Sequence, residues 1–342
     1  MSAAHRIRVL VRLLAVGALL ATVTSCSVVN EAATWNSAGA YPKGGASGGA
    51  SPTPTVPAYN IKPLLTPAKK YLGLEVPNAP DSTAPAAQFA TWTGKKPNLL
   101  GDYVAWDSSF DTTAASNAWK YGAMYFMVWE PYDTTAQRIA AGDSDNYIVR
   151  FATDVRALNV PIALSFGHEM NGNWYPWGTK QTTAADFVAA WRHIHDLFVR
   201  VGATNAIWVW DPNNIYPVPT VALQPYYPGD AYVDWAGITG YWTVFGPHTF
   251  ATLFQPTLTE IRQFTGKPVL IAETSVEAGA NEVSSVNALF QAVDKHSDII
   301  GFVWYDYDRQ GDWRLENRPD VEAAFRTGAA NPDFGFDVSV TR

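Results

Sequence analysis

A single (β/α)8 barrel is the fold this sequence predicts, on three observations. Eight short apolar runs alternate with stretches of helical spacing across residues 65–342. Several of those runs end in an acid. No glycine-rich phosphate loop follows the first run, as an open doubly wound sheet that binds a dinucleotide would require. The strands are expected at Tyr71–Val76, Leu99–Trp106, Ala123–Trp129, Pro161–Phe166, Ala206–Trp210, Trp235–Gly240, Pro268–Ala272 and Ile299–Trp304. Helical spacing is clearest over Tyr147–Leu158, Ala184–Val201 and Asn281–Lys295. With 47% hydrophobic residues the chain has ample material for a large core, and no internal repeat or second linker divides it.

The amino terminus has the pattern of a processing signal. Arg6, Arg8 and Arg12 precede a short apolar run, Leu13 to Val23. That run is too short to span a bilayer, which takes roughly 20 residues. It ends in Val23-Thr24-Ser25-Cys26, which resembles a bacterial lipobox. Residues 1–25 are therefore expected to be a lipoprotein signal peptide, with Cys26 the lipidated first residue of a mature chain on the outer face of the membrane. An ordinary secretory peptide is the plainer alternative. Cys26 is the only cysteine, so no disulfide can form within the chain. Residues 26–64, rich in Gly, Ser and Pro, are expected to be a flexible tether, and 65–342 the folded domain. Without residues 1–25, which hold three Arg and no acid, the formal charge falls from −7 to −10. An acidic chain with no basic run argues against nucleic acid as a partner. A polysaccharide substrate, the membrane through the lipid anchor, and a monomeric state are the expectations.

The strand-end acids carry the argument towards function. Asp107, Glu130, Glu169, Asp211, Glu273 and Asp306 all stand at or just beyond a run, beside Trp106, Trp129, Trp210 and Trp304. In such barrels the carboxyl ends of the strands build the active site, so these acids are expected to converge on one mouth. Many of the 14 Trp and 16 Tyr lie in polar, loop-like stretches, which favours a surface for stacking on sugars. Two glutamates stand out. Glu169 follows the fourth run in Gly167-His168-Glu169-Met170-Asn171-Gly172-Asn173-Trp174-Tyr175-Pro176-Trp177, and Glu273 ends the seventh in Ile271-Ala272-Glu273-Thr274-Ser275. Two carboxyl groups facing each other across a mouth are what glycosidic cleavage needs: one protonates the leaving oxygen while the other meets the anomeric carbon.

The long motif, with the later IAETS strand end, resembles family 26 of the glycoside hydrolases; the likeness extends over most of residues 70–310, including Tyr226-Tyr227-Pro228-Gly229-Asp230. The resemblance implies a retaining barrel enzyme, in most members an endo-β-1,4-mannanase. Carried over by position, it implies Glu169 as acid/base, Glu273 as nucleophile and His168 as the group that orients the nucleophile. It also implies Trp174 and Trp304 as sugar-lining rings and Tyr241 as a contact to the nucleophile. Mannanases of this family often carry an acid two residues before that tyrosine; here the residue is Thr239. The difference leaves β-1,3-1,4-glucanase and β-1,3-xylanase activities beside mannanase.

Plainer roles stand next to these. Glu130 is either a ligand for sugar hydroxyls or the cap of the next helix. Trp129 and Trp177 either touch substrate or pack, and Trp304 lies in an aromatic run suited to packing. A carbohydrate-binding lipoprotein without catalysis is the alternative from another class. No metal or other cofactor is expected. His168-Glu169 lacks the second histidine of a zinc helix, since residue 172 is Gly. Asp306, Asp308 and Gly311 echo a calcium loop whose closing acid is replaced by Asn317. No G-x-S-x-G elbow is present either.

Overall fold

A computed structural model describes residues 57–215, 221–279 and 281–341. Cys26, the leader and the tether up to residue 56 lie outside the described residues. Eight parallel strands close into a barrel in sequence order: β1 (Tyr71–Glu75), β2 (Leu99–Ala105), β3 (Met124–Glu130), β4 (Ile162–Phe166), β5 (Ala206–Trp210), β6 (Trp235–Thr239), β7 (Val269–Thr274) and β8 (Ile299–Tyr305). β8 returns to β1 with Tyr71 opposite Gly301 and Glu75 opposite Tyr305. The expected barrel is therefore present, and each strand falls within two residues of its expected limits.

Side chains alternate along the strands between two separate cores. Leu99, Met124, Phe126, Val128, Ala163, Ile207, Val209, Leu270 and Val303 fill the barrel interior. Leu72, Leu74, Tyr125, Met127, Trp129, Leu164, Trp208 and Trp210 point outward into the layer of helices. That layer contains α2 (Ala84–Thr93), α3 (Thr112–Tyr121), α4 (Ala136–Ala140), α5 (Asp145–Leu158), α6 (Ala184–Val201), α7 (Phe250–Leu253), α8 (Gln255–Ile261), α9 (Glu282–Lys295) and α10 (Pro319–Ala329). In α6 the Thr183 hydroxyl caps the first turn by accepting from Asp186 N. Gly202 ends the helix in the left-handed conformation, and Phe187, Ala190, Trp191, Ile194, Leu197 and Phe198 form the buried stripe between.

The folded unit starts before residue 65. Tyr59 stacks edge-on against Trp119 at 5.5 Å, and its backbone N–H donates to Asn159 Oδ1 at 2.8 Å. The short helix α1 (Lys62–Leu65) buries Leu64 across the amino end of the barrel. Tyr71 Oη and Trp235 Nε1 donate to the carbonyls of Leu64 and Leu65, both at 2.9 Å. Residues 57–64, expected as tether, are thus a plug. Aromatic anchors facing an otherwise unfilled barrel end outweigh the local Pro-rich composition.

Candidate active site

The opposite, carboxyl end of the barrel gathers the acids. Glu169 and Glu273 are 8% and 7% exposed, and burial raises the pKa of both. Their surroundings differ. Glu273 accepts from two phenols, Tyr103 Oη on Oε2 and Tyr241 Oη on Oε1, and these bonds favour its charged form. Glu169 is pushed up to about 7 by burial first and by the charge of Glu273 second, against the opposing pull of its bonds to Asn213 and Trp174. The two phenols thus pull Glu273 towards its charged form against the effect of burial, while burial and the charge of Glu273 push Glu169 towards its protonated form.

Local backbone geometry aims these side chains. Strand parity along β7 puts Leu270 and Ala272 inside, which would send residue 273 outward. The register slips between Ile271 and Thr274 against β8, and between Gly237 and Thr239 against β6. This bulge supplies the extra residue that turns Glu273 to the interior. After β4, Gly167 and Glu169 both take positive φ, 57° and 53°. A non-glycine residue in that region is strained, and here surrounding bonds hold it. Glu169 N donates to Asp211 O at 2.7 Å, and Asn213 Nδ2 donates to Glu169 Oε1. Asn171 and Asn213 bond each other in return, at 2.8 and 2.9 Å, which pins the loop after β4 to the loop after β5.

Trp174 lies at the rim, 45% exposed, and its Nε1 donates to Glu169 Oε2 at 2.7 Å. A Cβ at Gly172 would meet the indole at 2.5 Å, so only glycine lets the ring lie there. Glu130, ending β3, is half-buried and pushed up to about 8, by burial first and then by Glu273. Asp211 is buried and raised well above the carboxylate range by burial, Glu273 and Glu169. Thr239 Oγ1 lies 3.3 Å from Asp211 Oδ1, so beside the position where mannanases often have an acid, a carboxyl group comes from the residue just after β5.

Several expected residues are elsewhere. Trp129 is fully buried, stacked on Phe151 of α5 at 4.4 Å, with its Nε1 bonded to Tyr147 Oη at 3.1 Å. It cannot touch a sugar, because Glu130 takes the inward position and its neighbour must face the helices. Trp304 is 1% exposed and packs edge-on against Phe325 of α10. The ring of β8 that faces Glu273 is instead Tyr305. Trp177 stacks on Tyr175 at 4.5 Å and donates to His168 O at 2.6 Å, which makes it an anchor of its loop. His168 does not bond Glu273, the residue it was expected to orient. Its Nε2 lies 3.2 Å from Tyr175 Oη, burial holds its pKa down at about 3, and its ring meets that of Tyr103 at 5.8 Å. Of the other strand-end acids, Asp107 is exposed, and Asp306 is occupied in accepting from Leu315 N at 2.7 Å.

Glu75, Tyr103, Asn213 and Tyr305 are site residues that the sequence reading passed over. Glu75 carried a signal, since it ends the first strand as the other acids end theirs. Asn213 carried none, because its role depends on a contact with a loop 44 residues away.

These observations define a class: a closed (β/α)8 barrel with two electrostatically coupled glutamates after the fourth strand and on the seventh, under an aromatic rim. Residues 133–257 match the sequence pattern of Glycosyl hydrolase family 26. That match supports membership of the family. It is 30% identical over 284 residues to Endoglucanase H of Acetivibrio thermocellus, covering 76% of this chain and 31% of that protein. It is 28% identical over 163 residues to Mannan endo-1,4-beta-mannosidase A and B of Caldalkalibacillus mannanilyticus, covering 44% and 30%. The chain thus spans about a third of the length of these curated relatives. Among solved structures, a modular endo-beta-1,4-mannanase from Cellulomonas fimi superposes with a TM-score of 0.63 at 18% identity, over 82% of this chain and 75% of that one. The family 26 beta-mannanase of Bacteroides ovatus gives 0.60 at 14%, over 80% and 92%. At these identities the two structures establish a shared fold.

Proposed function

We propose that the chain is a retaining endo-glycoside hydrolase acting on a β-linked polysaccharide, with β-1,4-mannan the foremost substrate. One observation carries this reading: two buried, coupled carboxyl groups face one mouth, one bonded by two phenols and one raised to about 7. In the first step a Glu273 oxygen attacks the anomeric carbon while Glu169 gives its proton to the departing glycosidic oxygen. In the second, Glu169 takes a proton from water, which displaces Glu273 from the glycosyl ester. Trp174, held by Glu169 itself, offers a ring face to a sugar next to the cleaved bond. Mannanases among the relatives favour mannan.

A mixed-linkage or β-1,4-glucan is the second reading. Thr239 in place of the usual acid favours it, as does the match over 284 residues to an endoglucanase. Lipid attachment at Cys26 on the outer membrane face remains part of the proposal and accords with a polymeric substrate outside the cell.

Incubation with mannan, mixed-linkage β-glucan and β-1,3-xylan, read by reducing-end release and by the first-formed anomer, tests the function. Release from mannan with retained configuration is expected, and strongest release from glucan would select the second reading. Binding without release on every polymer would replace the hydrolase by a carbohydrate-binding protein. An inverted product would end the double-displacement mechanism.

A further inference from the structure

Tyr103 has one phenolic proton and two carboxyl groups within its reach. Its Oη lies 3.1 Å from Glu75 Oε2 and also contacts Glu273 Oε2. A phenol donates one bond, so two ionised carboxylates would leave one of these contacts as an unrelieved meeting of oxygens. The arrangement closes without conflict when a second proton sits between Glu75 and Tyr103.

Glu75 suits that proton. It ends β1 inside the barrel, is fully buried, and its Oε1 has no hydrogen-bond partner among the described residues. A carboxylate there would carry charge on an oxygen with no donor, which burial makes costly; a neutral acid would not. The groups facing it are Tyr103 and Asp102 from β2, Asp211 after β5, Tyr241 after β6, Glu273 from β7, and Tyr305 and Tyr307 at the end of β8. These are acids and phenols, with no cation among them. Space for the side chain is kept by Gly101 on the neighbouring strand, where a Cβ would stand 2.6 Å from Glu75 Oε1. Burial first, then the charge of Glu273, raise the Glu75 carboxyl well above its usual range.

We propose that Glu75 is a neutral carboxylic acid that donates its proton to Tyr103 Oη and thereby commits the Tyr103 O–H to Glu273. Glu75 is then a positioning residue, and this inference rests on the reading of Glu273 as nucleophile. Through Tyr103 it keeps one of the two phenolic donors aimed at the anion. Loss of that aim leaves Glu273 harder to ionise and less well placed.

The test uses E75A and E75Q in the full chain. E75A removes the donor, and its kcat is expected to fall about tenfold with little change in KM. The acidic limb of its kcat/KM profile moves to higher pH, because Glu273 ionises later. E75Q keeps an N–H donor at the same place and recovers most of what E75A loses. Infrared difference spectra, wild type minus E75Q at neutral pH, should contain the carbonyl band of a neutral carboxylic acid. Absence of that band, an E75Q as slow as E75A, or an unmoved acidic limb in E75A would each overturn the inference. The spectrum needs neither turnover nor a folded E75A. A wild type that cleaves no polymer therefore overturns the hydrolase reading alone, and the band still decides the state of Glu75.

Discussion

The two ends of the barrel are built on opposite principles. At the amino end, Tyr59, Leu64, Tyr71, Trp235 and Val338 close the interior with apolar surface, and the Tyr71 and Trp235 polar atoms meet backbone carbonyls at 2.9 Å. At the carboxyl end, Glu75, Glu130, Glu169 and Asp211 are gathered around Glu273, the largest charged influence on each, with Arg309 opposing it at Glu130. The first arrangement minimises free energy; the second raises it. Burying like-charged acids costs stability, and the folded barrel sustains that cost because its other end is so well satisfied.

Substitutions at the two ends should separate stability from activity. The largest effect is expected at Glu273→Ala, where polysaccharide cleavage should fall on the order of 10^4-fold while the circular dichroism spectrum stays that of the wild type. Turnover near the wild-type rate would show that the acidic end holds its nucleophile elsewhere. Next comes Leu64→Ala at the plugged end, expected to cost about 2–5 kcal/mol of stability by leaving a cavity, with kcat unchanged. Denaturant unfolding measures the first quantity, and a parallel loss of kcat would mean that the ends are not independent.

Glu169→Gln should act in both senses. The folded-state pKa of about 7 lies above the ordinary carboxylate value of 4.5, so this group favours folding at low pH and that contribution is lost as pH rises through 7. The amide variant cannot ionise. Its thermal stability at alkaline pH should exceed that of the wild type by on the order of 2 kcal/mol, with activity lost. With Glu169 as the proposed general acid, which works only while protonated, the alkaline limb of wild-type activity is expected near neutrality. A pH–rate profile flat well above that value would remove Glu169 from the acid role. The smallest effect is expected at Tyr71→Phe, about 1 kcal/mol, for one lost bond to the Leu64 carbonyl at the satisfied end.

Much of the barrel was legible in the sequence, because each strand and helix writes its own periodicity and caps locally. All eight strands and the three clearest helices, α5, α6 and α9, fall within two residues of the limits read from spacing. The tryptophans beside the acids misled for a related reason. Alternation that sends Glu130 and Tyr305 inward sends Trp129 and Trp304 outward, so neighbours in sequence are not neighbours in space here. Strict parity alone places both rings in the helix layer.

Strand positions, the pairing of Glu169 with Glu273 as candidates, and the acidic character of the mouth were determined by the sequence alone, since each rests on local pattern or motif. Tertiary structure decided which way the side chains point and what they bond. The bulge in β7 that turns Glu273 inward, the Tyr103 and Tyr241 donors, the Asn213 clasp on Glu169 and the plug of residues 57–64 all depend on contacts between distant strands and loops. The physical reason is range: periodicity is a property of neighbours along the chain, whereas the ionisation and aim of a buried acid are set by neighbours in space.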